Sequence, residues 1–286
     1  MSFHVDSPAA VALRKLAHNR SSQLGALLCL TFVALALLAP WLAPYSYQKL
    51  DLAHRLTAPG QGGHLLGTDN LGRDLWSRLI YGSRVSLAVG VFSVSISLLI
   101  GVPLGALAGY LGRWVDALIM RCMDLLLAFP SILLAIAIVT VLGNNLTNAM
   151  IAVGVVGIPV FARITRASVM TVKEMEYVQA ATTIGCSPTR ILLVHILPNC
   201  LNPLIVQCTL SLGTSVLDAA GLSFLGLGAK PPTPEWGTML ADTYRYYEQA
   251  PWLVVGPGMA ILAMVLGFNL LGDGLRDALD PKTKED

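Results

Sequence analysis

Apolar residues in this chain come in long blocks broken by short polar stretches. The blocks cover 24–43, 85–110, 117–142, 149–164, 203–227 and 252–271. A helix needs about 20 apolar residues to cross a bilayer, so the pattern predicts six transmembrane helices. The first block follows Arg14, Lys15 and Arg20, as the apolar part of a signal peptide would. A signal's apolar region is only about 7–15 residues long. This block is longer and closes on Pro40, Trp41 and Pro44, so it is expected to remain as an anchor.

Six spans place both termini on one side. With the N-terminus in the cytoplasm, 12 Lys and Arg fall inside and seven outside, five of the seven in the first outer loop. The excess of inner positive charge favours this orientation. The domain division that follows is a tail at 1–22, a membrane domain at 23–272 and a second cytoplasmic tail at 273–286.

Within the first outer loop Leu71, Leu75 and Leu79 recur every fourth residue beside Trp76 and Ile80, while Arg73, Asp74 and Arg78 take other faces. That spacing predicts an amphipathic helix lying in the membrane interface ahead of the second span. The last outer loop, 229–251, carries Pro231, Pro232, Pro234 and Trp236 and reads as a rigid lid over the bundle.

Composition agrees with a membrane protein. Hydrophobic residues make up 55% and charged residues 13%, with a mean hydropathy of +0.65. Soluble domains carry about 25% charged residues, so this chain cannot coat a water-facing surface. A net charge of +2 gives no reason to expect a nucleic-acid partner. The five cysteines, Cys29, Cys122, Cys186, Cys200 and Cys208, lack metal-ligand spacing and are expected to be reduced packing residues. No metal or cofactor is expected.

Three internal patterns bear on function. Gly101, Gly105 and Gly109 form a flat stripe that lets another helix approach, either within this chain or in a partner. Gln207, Ser211, Thr214 and Asp218, spaced 4, 3 and 4, line one face of the fifth span. A carboxylate inside a membrane needs a partner or water, so this stripe either walls an aqueous pathway or joins a network between helices. Arg121 and Asp124, three apart near the inner end of the third span, are expected to form a structural ion pair.

The segment 173–199 is polar, helical and too short to span. Tyr177, Ala180, Ala181 and Ile184 mark one small apolar face, Gly185 stops the helix, and Ser187 and Pro188 start another. Pro198 is expected to interrupt the chain before the next span. The shape of this elbow fits both a docking element and a structured loop.

Its residues carry a resemblance. Gln179-Ala180-Ala181, Gly185 and His195-Ile196-Leu197-Pro198 resemble the EAA loop of ABC-importer permeases, with Gln179 in place of the usual Glu and His195 in place of an Ile. Gly67-Thr68-Asp69, Leu71-Gly72-Arg73-Asp74, Leu222 to Gly228, Pro231 to Gly237 and Phe268 to Asp277 are similar to stretches of dipeptide, oligopeptide and nickel importer permeases. Within that family the chain looks most like the second, shorter-looped permease of dipeptide systems.

The resemblance implies an all-α integral membrane protein of the type I ABC-importer kind, six transmembrane helices with a cytoplasmic coupling-helix loop. It implies a second homologous permease, two cytoplasmic ABC ATPases, an extracytoplasmic substrate-binding protein and a bacterial inner-membrane setting. Coupling to the ATPase falls on Gln179, Ala180, Ala181, Gly185 and Pro198. The sequence holds no Gly-x-x-x-x-Gly-Lys-Ser/Thr loop, so ATP is expected on partner subunits and no catalytic residue is assigned here. An ion-coupled secondary transporter would need midplane ionisable residues, and only Asp218 qualifies. A scaffold that docks a partner through the same elbow is the third reading. Among importer cargoes, peptides, nickel chelates, glutathione and haem precursors stay open.

Overall fold

The computed structural model describes residues 15–17 and 19–279, so Arg14, Lys282, Lys284, most of the expected N-terminal tail and half of the expected C-terminal one lie outside the described residues. The helices are α1 (Arg20–Leu42), α2 (Leu75–Leu111), α3 (Arg113–Leu127), α4 (Ser131–Leu142), α5 (Leu146–Lys173), α6 (Glu176–Thr183), α7 (Leu201–Phe224), α8 (Trp236–Thr243) and α9 (Trp252–Leu279). Among the described residues the β structure is one isolated bridge, Thr68 to Asp74. Five helical stretches are long and apolar enough to span a membrane, and α3 with α4 makes a sixth only as a bent pair.

That bend corrects the expected third span. The 117–142 block breaks at residues 128–130 and turns through 91°. Pro130 supplies the cause: it lacks an amide hydrogen and pushes the preceding residue out of helical geometry. Hydropathy alone treats the two halves as one run, because Phe129 and Pro130 do not lower it enough.

The α2–α5 pair forms the centre of the bundle, and the glycine stripe is its seam. A Cβ on Gly105 would collide with the Ala162 carbonyl, and one on Gly101 would lie 2.7 Å from the Ile158 carbonyl. The stripe therefore serves packing within this chain. Two ion pairs tie α3 to α5: Arg166 grips Asp116 through Nε and Nη2 at 2.5 and 2.6 Å, and Arg163 Nη2 meets Asp124 at 2.6 Å. The expected Arg121–Asp124 pair is thereby corrected. Asp124 faces α5, and the guanidinium it meets is 39 residues away in sequence, where i,i+3 spacing cannot see it.

The loop ahead of α2 also departs from expectation. Leu75 and Ile80 are buried, and so are Arg73, Asp74 and Arg78, so no charged face meets water. Asp69 accepts hydrogen bonds from the Leu71 and Arg73 amides and from Arg73 Nε at 2.6 Å. Arg78 lies 3.5 Å from the same carboxylate and donates to the Tyr47 and Pro232 carbonyls. Asp74 caps α2 through the Ser77 amide and bonds His64 Nδ1 at 2.8 Å. These residues build an ionic hub, not an interfacial helix. Its pairs satisfy buried charges that would otherwise cost several kcal/mol each.

The expected lid packs onto this hub. Trp236 is fully buried against Phe32 and donates its indole hydrogen to the Leu79 carbonyl, while Glu235 caps α8 through the Gly237 and Thr238 amides. The residues from Pro40 to Asp74, the lid and the start of α2 thus form one end of the molecule. The other end carries the elbow. There, Ser22 at the start of α1 packs on Gly274 of α9, so the first and last helices begin and finish at the elbow end.

Candidate functional site

The elbow is held by its concealed face. Val178 and Ala181 of α6 are buried with Ala106 of α2, Val169 and Val172 of α5, and Ile191 and Ile196 beyond the turn. Lys173 Nζ donates to the Tyr110 carbonyl at 2.9 Å and lies over that ring, fixing where α6 leaves α5. Gly185 adopts φ +83°. The Cys186 amide then reaches the Ala181 carbonyl and the Gly185 amide the Thr182 carbonyl, the paired bonds that close a helix on a left-handed residue. Ser187 accepts from the Arg190 amide and Pro188 occupies the first turn of the next helix.

The second arm runs into α7 without a stop. Residues Pro188–Phe224 form one helical stretch. Ile191–Ile196 widens to a π-helix and Leu197–Cys200 tightens to a 3-10 turn. This local rewinding accommodates Pro198, which cannot donate into a regular ladder. The His195 carbonyl bonds the Asn199 side chain at 2.8 Å and the Tyr177 hydroxyl at 3.2 Å. The expected interruption at Pro198 is therefore a change of winding, and the second arm of the elbow is a continuous helical extension of α7.

The apolar face expected on α6 divides in two. Ala181 turns inward with Val178, which the sequence pattern left out, whereas Tyr177, Ala180 and Ile184 point out, Ile184 at 79% exposure. Gln179 is exposed and donates to the Glu174 carbonyl at 3.1 Å, so the residue standing where the family has Glu caps its own backbone. Beside it lies a cavity of about 480 Å³ lined by Tyr110, Lys173, Glu174, Gln179, Thr182 and Thr183. Of the expected coupling residues, Gln179, Ala180 and Gly185 lie on the exposed side of the elbow, Ala181 forms its root, and Pro198 sits at its junction with α7.

The polar stripe on α7 is real as a face. Gln207 Nε2 donates to Ser211 Oγ at 2.9 Å, and Thr214 Oγ1 donates to the Ser211 carbonyl at 3.2 Å. Thr214 is exposed, and Gln207, Ser211 and Asp218 are half-buried. Among the described residues Asp218 makes no hydrogen bond or ion pair, so the interhelical network is not formed within this chain. At the elbow end the same face opens into a cavity of about 580 Å³, which Gln207 lines together with Asn199, Asn202 and Arg276. Sequence reading missed that convergence because Arg276 belongs to α9, whose own pattern carries no hint of where its last turn packs. Of the five cysteines expected to pack, Cys200 is buried, Cys29, Cys186 and Cys208 are partly buried, and Cys122 is exposed.

Comparison with known proteins places this architecture. The family model described as binding-protein-dependent transport system inner membrane component matches residues 101–285, and the N-terminal TM domain of oligopeptide transport permease C matches residues 7–59. The dipeptide transport system permease protein DppC of Alkalihalophilus pseudofirmus is 49% identical over 97% of this chain and 91% of its own length. The di/tripeptide permease DppC of Pseudomonas aeruginosa is 52% identical over 97% and 93%. The glutathione permease GsiD of Escherichia coli is 47% identical over 95% and 89%. Among solved structures, the MetNI methionine ABC transporter, inward facing, matches with a TM-score of 0.58 at 19% identity, covering 72% of this chain and 97% of that one, a likeness of fold. A helical bundle with an elbow continuous with α7 and a polar face on that helix, matched over most of its length, this chain belongs to the inner-membrane permease components of binding-protein-dependent ABC importers.

Proposed function

We propose that this permease forms half of the path for di- and oligopeptides, with α6 as the helix that docks in a separate ATPase. The observation that carries the docking role is the outward set of Tyr177, Ala180 and Ile184 on a helix whose other face is anchored. Exposed apolar residues on a short, rooted helix are what a protein groove takes up. Because the elbow continues into α7 through Pro198, a push on α6 moves the stripe of Gln207, Ser211, Thr214 and Asp218 as one body. The chain makes and breaks no bonds. ATP binds and is hydrolysed on two partner subunits, and a second homologous permease supplies the other wall.

The elbow end faces the cytoplasm in this reading, along with both termini, and the lid end receives the substrate-binding protein. The positive charge of the elbow side supports that orientation. Peptide cargo rests on the dipeptide and di/tripeptide relatives, and glutathione, itself a peptide, is the second reading because a relative of nearly equal similarity transports it by name.

Purification of the tagged chain from mild detergent tests the docking role. Wild type is expected to bring down an ATPase and a second permease. Ile184→Asp, which changes an exposed side chain only, is expected to lose the ATPase and keep the permease. Recovery of the ATPase with the variant at wild-type yield removes the docking face from α6. Uptake of labelled dialanine competed by dipeptides far better than by glutathione supports the peptide reading, and the reverse order favours the second.

A further inference from the structure

The cavity of about 580 Å³ at the elbow end is lined by Asn199, Asn202 and Gln207 of the α7 stretch, and by Arg276 of α9. Among the described residues Arg276 supplies the sole charge that lines it and makes no ion pair or hydrogen bond, although Asp273 lies one turn before it. Asn202 likewise makes no hydrogen bond. A cation in the last turn of a helix is favoured by the helix dipole. The dipole does not explain why Asn202 and Gln207 of another helix line the same cavity, Gln207 with one amide hydrogen left beyond its bond to Ser211, while the Asn199 amide is turned to the His195 carbonyl. We propose that Arg276, Asn202 and Gln207 bind the C-terminal carboxylate of the transported peptide at the exit of the path. This inference rests on the peptide reading above.

The chemistry matches the ligand. A guanidinium holds a carboxylate through two parallel N–H···O bonds, and an amide hydrogen of Asn202 and the one that Gln207 does not give to Ser211 meet its remaining lone pairs. Gln207 also begins the polar stripe, so a peptide leaving that face arrives with its polar groups already turned toward the cavity. Asp218 cannot hold the ammonium end of the same dipeptide. It stands 11 residues from Gln207, about 16 Å along a helix, whereas two extended residues reach only about 7 Å. A dipeptide therefore occupies the Arg276 site by its carboxylate alone, and release needs only that one contact to break.

The test uses the assembled transporter in nanodiscs without the binding protein, with equilibrium binding of radiolabelled dialanine. Wild type is expected to bind saturably, with competition by dialanine and not by dialaninamide, which lacks the carboxylate. Arg276→Gln is expected to weaken binding by about tenfold or more, while Arg276→Lys, which keeps the charge and loses the paired N–H···O bonds, restores only part of it. Asn202→Ala is expected to give a smaller loss. Binding that is absent in wild type, unchanged in Arg276→Gln, or equally competed by the amide overturns the site. ATP-driven uptake by the same preparation with binding protein restored is read alongside. No peptide uptake removes the peptide reading, whereas uptake with binding indifferent to Arg276 removes the carboxylate site alone.

Discussion

At the scale of single residues, the ionic hub at the lid end separates two acids that look alike in sequence. Asp69 is buried and takes two backbone amides as well as both guanidiniums of Arg73 and Arg78. Asp242 sits at the hub's rim, 4.0 Å from Arg73. Burial raises its carboxyl above the ordinary aspartate range, against the opposing pull of Arg73 and Arg78. An acid whose pKa is raised by folding binds its proton more tightly in the folded state. Its contribution therefore favours folding at low pH and is lost as pH rises from the ordinary aspartate value of about 3.9 through the folded one. Asp69→Asn is expected to destabilise by about 3–5 kcal/mol, because it leaves buried guanidiniums unpaired. Asp242→Asn is expected to keep or raise stability at neutral pH and to flatten its dependence between mild acid and neutrality. Thermal unfolding of the detergent-solubilised protein at both pH values distinguishes the two. Equal losses would show that Asp242 works as a full member of the hub.

At the scale of elements, the elbow depends on one backbone conformation. Nothing lies within 4 Å of a Cβ built on Gly185, so a side chain there meets no neighbour. The cost of substitution is the left-handed φ of +83°, about 1–2 kcal/mol for an L-residue and more for a β-branched one. Gly185→Val is thus expected to re-aim α6 while the bundle stays assembled. ATP hydrolysis should continue with peptide uptake reduced by about tenfold, the consequence of roughly 1.4 kcal/mol at the coupling step. Uptake and ATPase activity measured together in proteoliposomes decide it, and normal uptake would mean that the elbow angle does not transmit force. The π-helix and 3-10 turn around Pro198 let a proline sit between the elbow and α7 without breaking the helix.

At the scale of the molecule, the α7 stripe is half-buried at Gln207, Ser211 and Asp218 and exposed at Thr214, and the proposed path role makes that position a test. In a version with the five native cysteines replaced, a cysteine at Thr214 is expected to react with a charged, membrane-impermeant thiol reagent in the assembled transporter. A cysteine at Leu99, an exposed apolar position on α2, is expected to stay unreactive in the lipid. Equal protection of both would place the stripe against a dry interface with the second permease.

The amino-acid sequence by itself determined the membrane character, the approximate spans, the glycine seam, the elbow with its Gly185 stop, and the face shared by Gln207, Ser211, Thr214 and Asp218. Each follows from hydropathy or from a period within one segment, and local chemistry is enough to set it. The break at Pro130 is local chemistry too, hidden by the hydropathy of the block, and tertiary structure alone decided the outward turn of Tyr177, Ala180 and Ile184 against the buried Val178 and the burial of Arg73, Asp74 and Arg78. It also decided that Asp124 meets Arg163 and that Arg276 lines one cavity with Asn202 and Gln207 of α7. Charges separated by tens of residues are brought together by how helices cross, and a helical period reports which residues share a face but not what that face will meet.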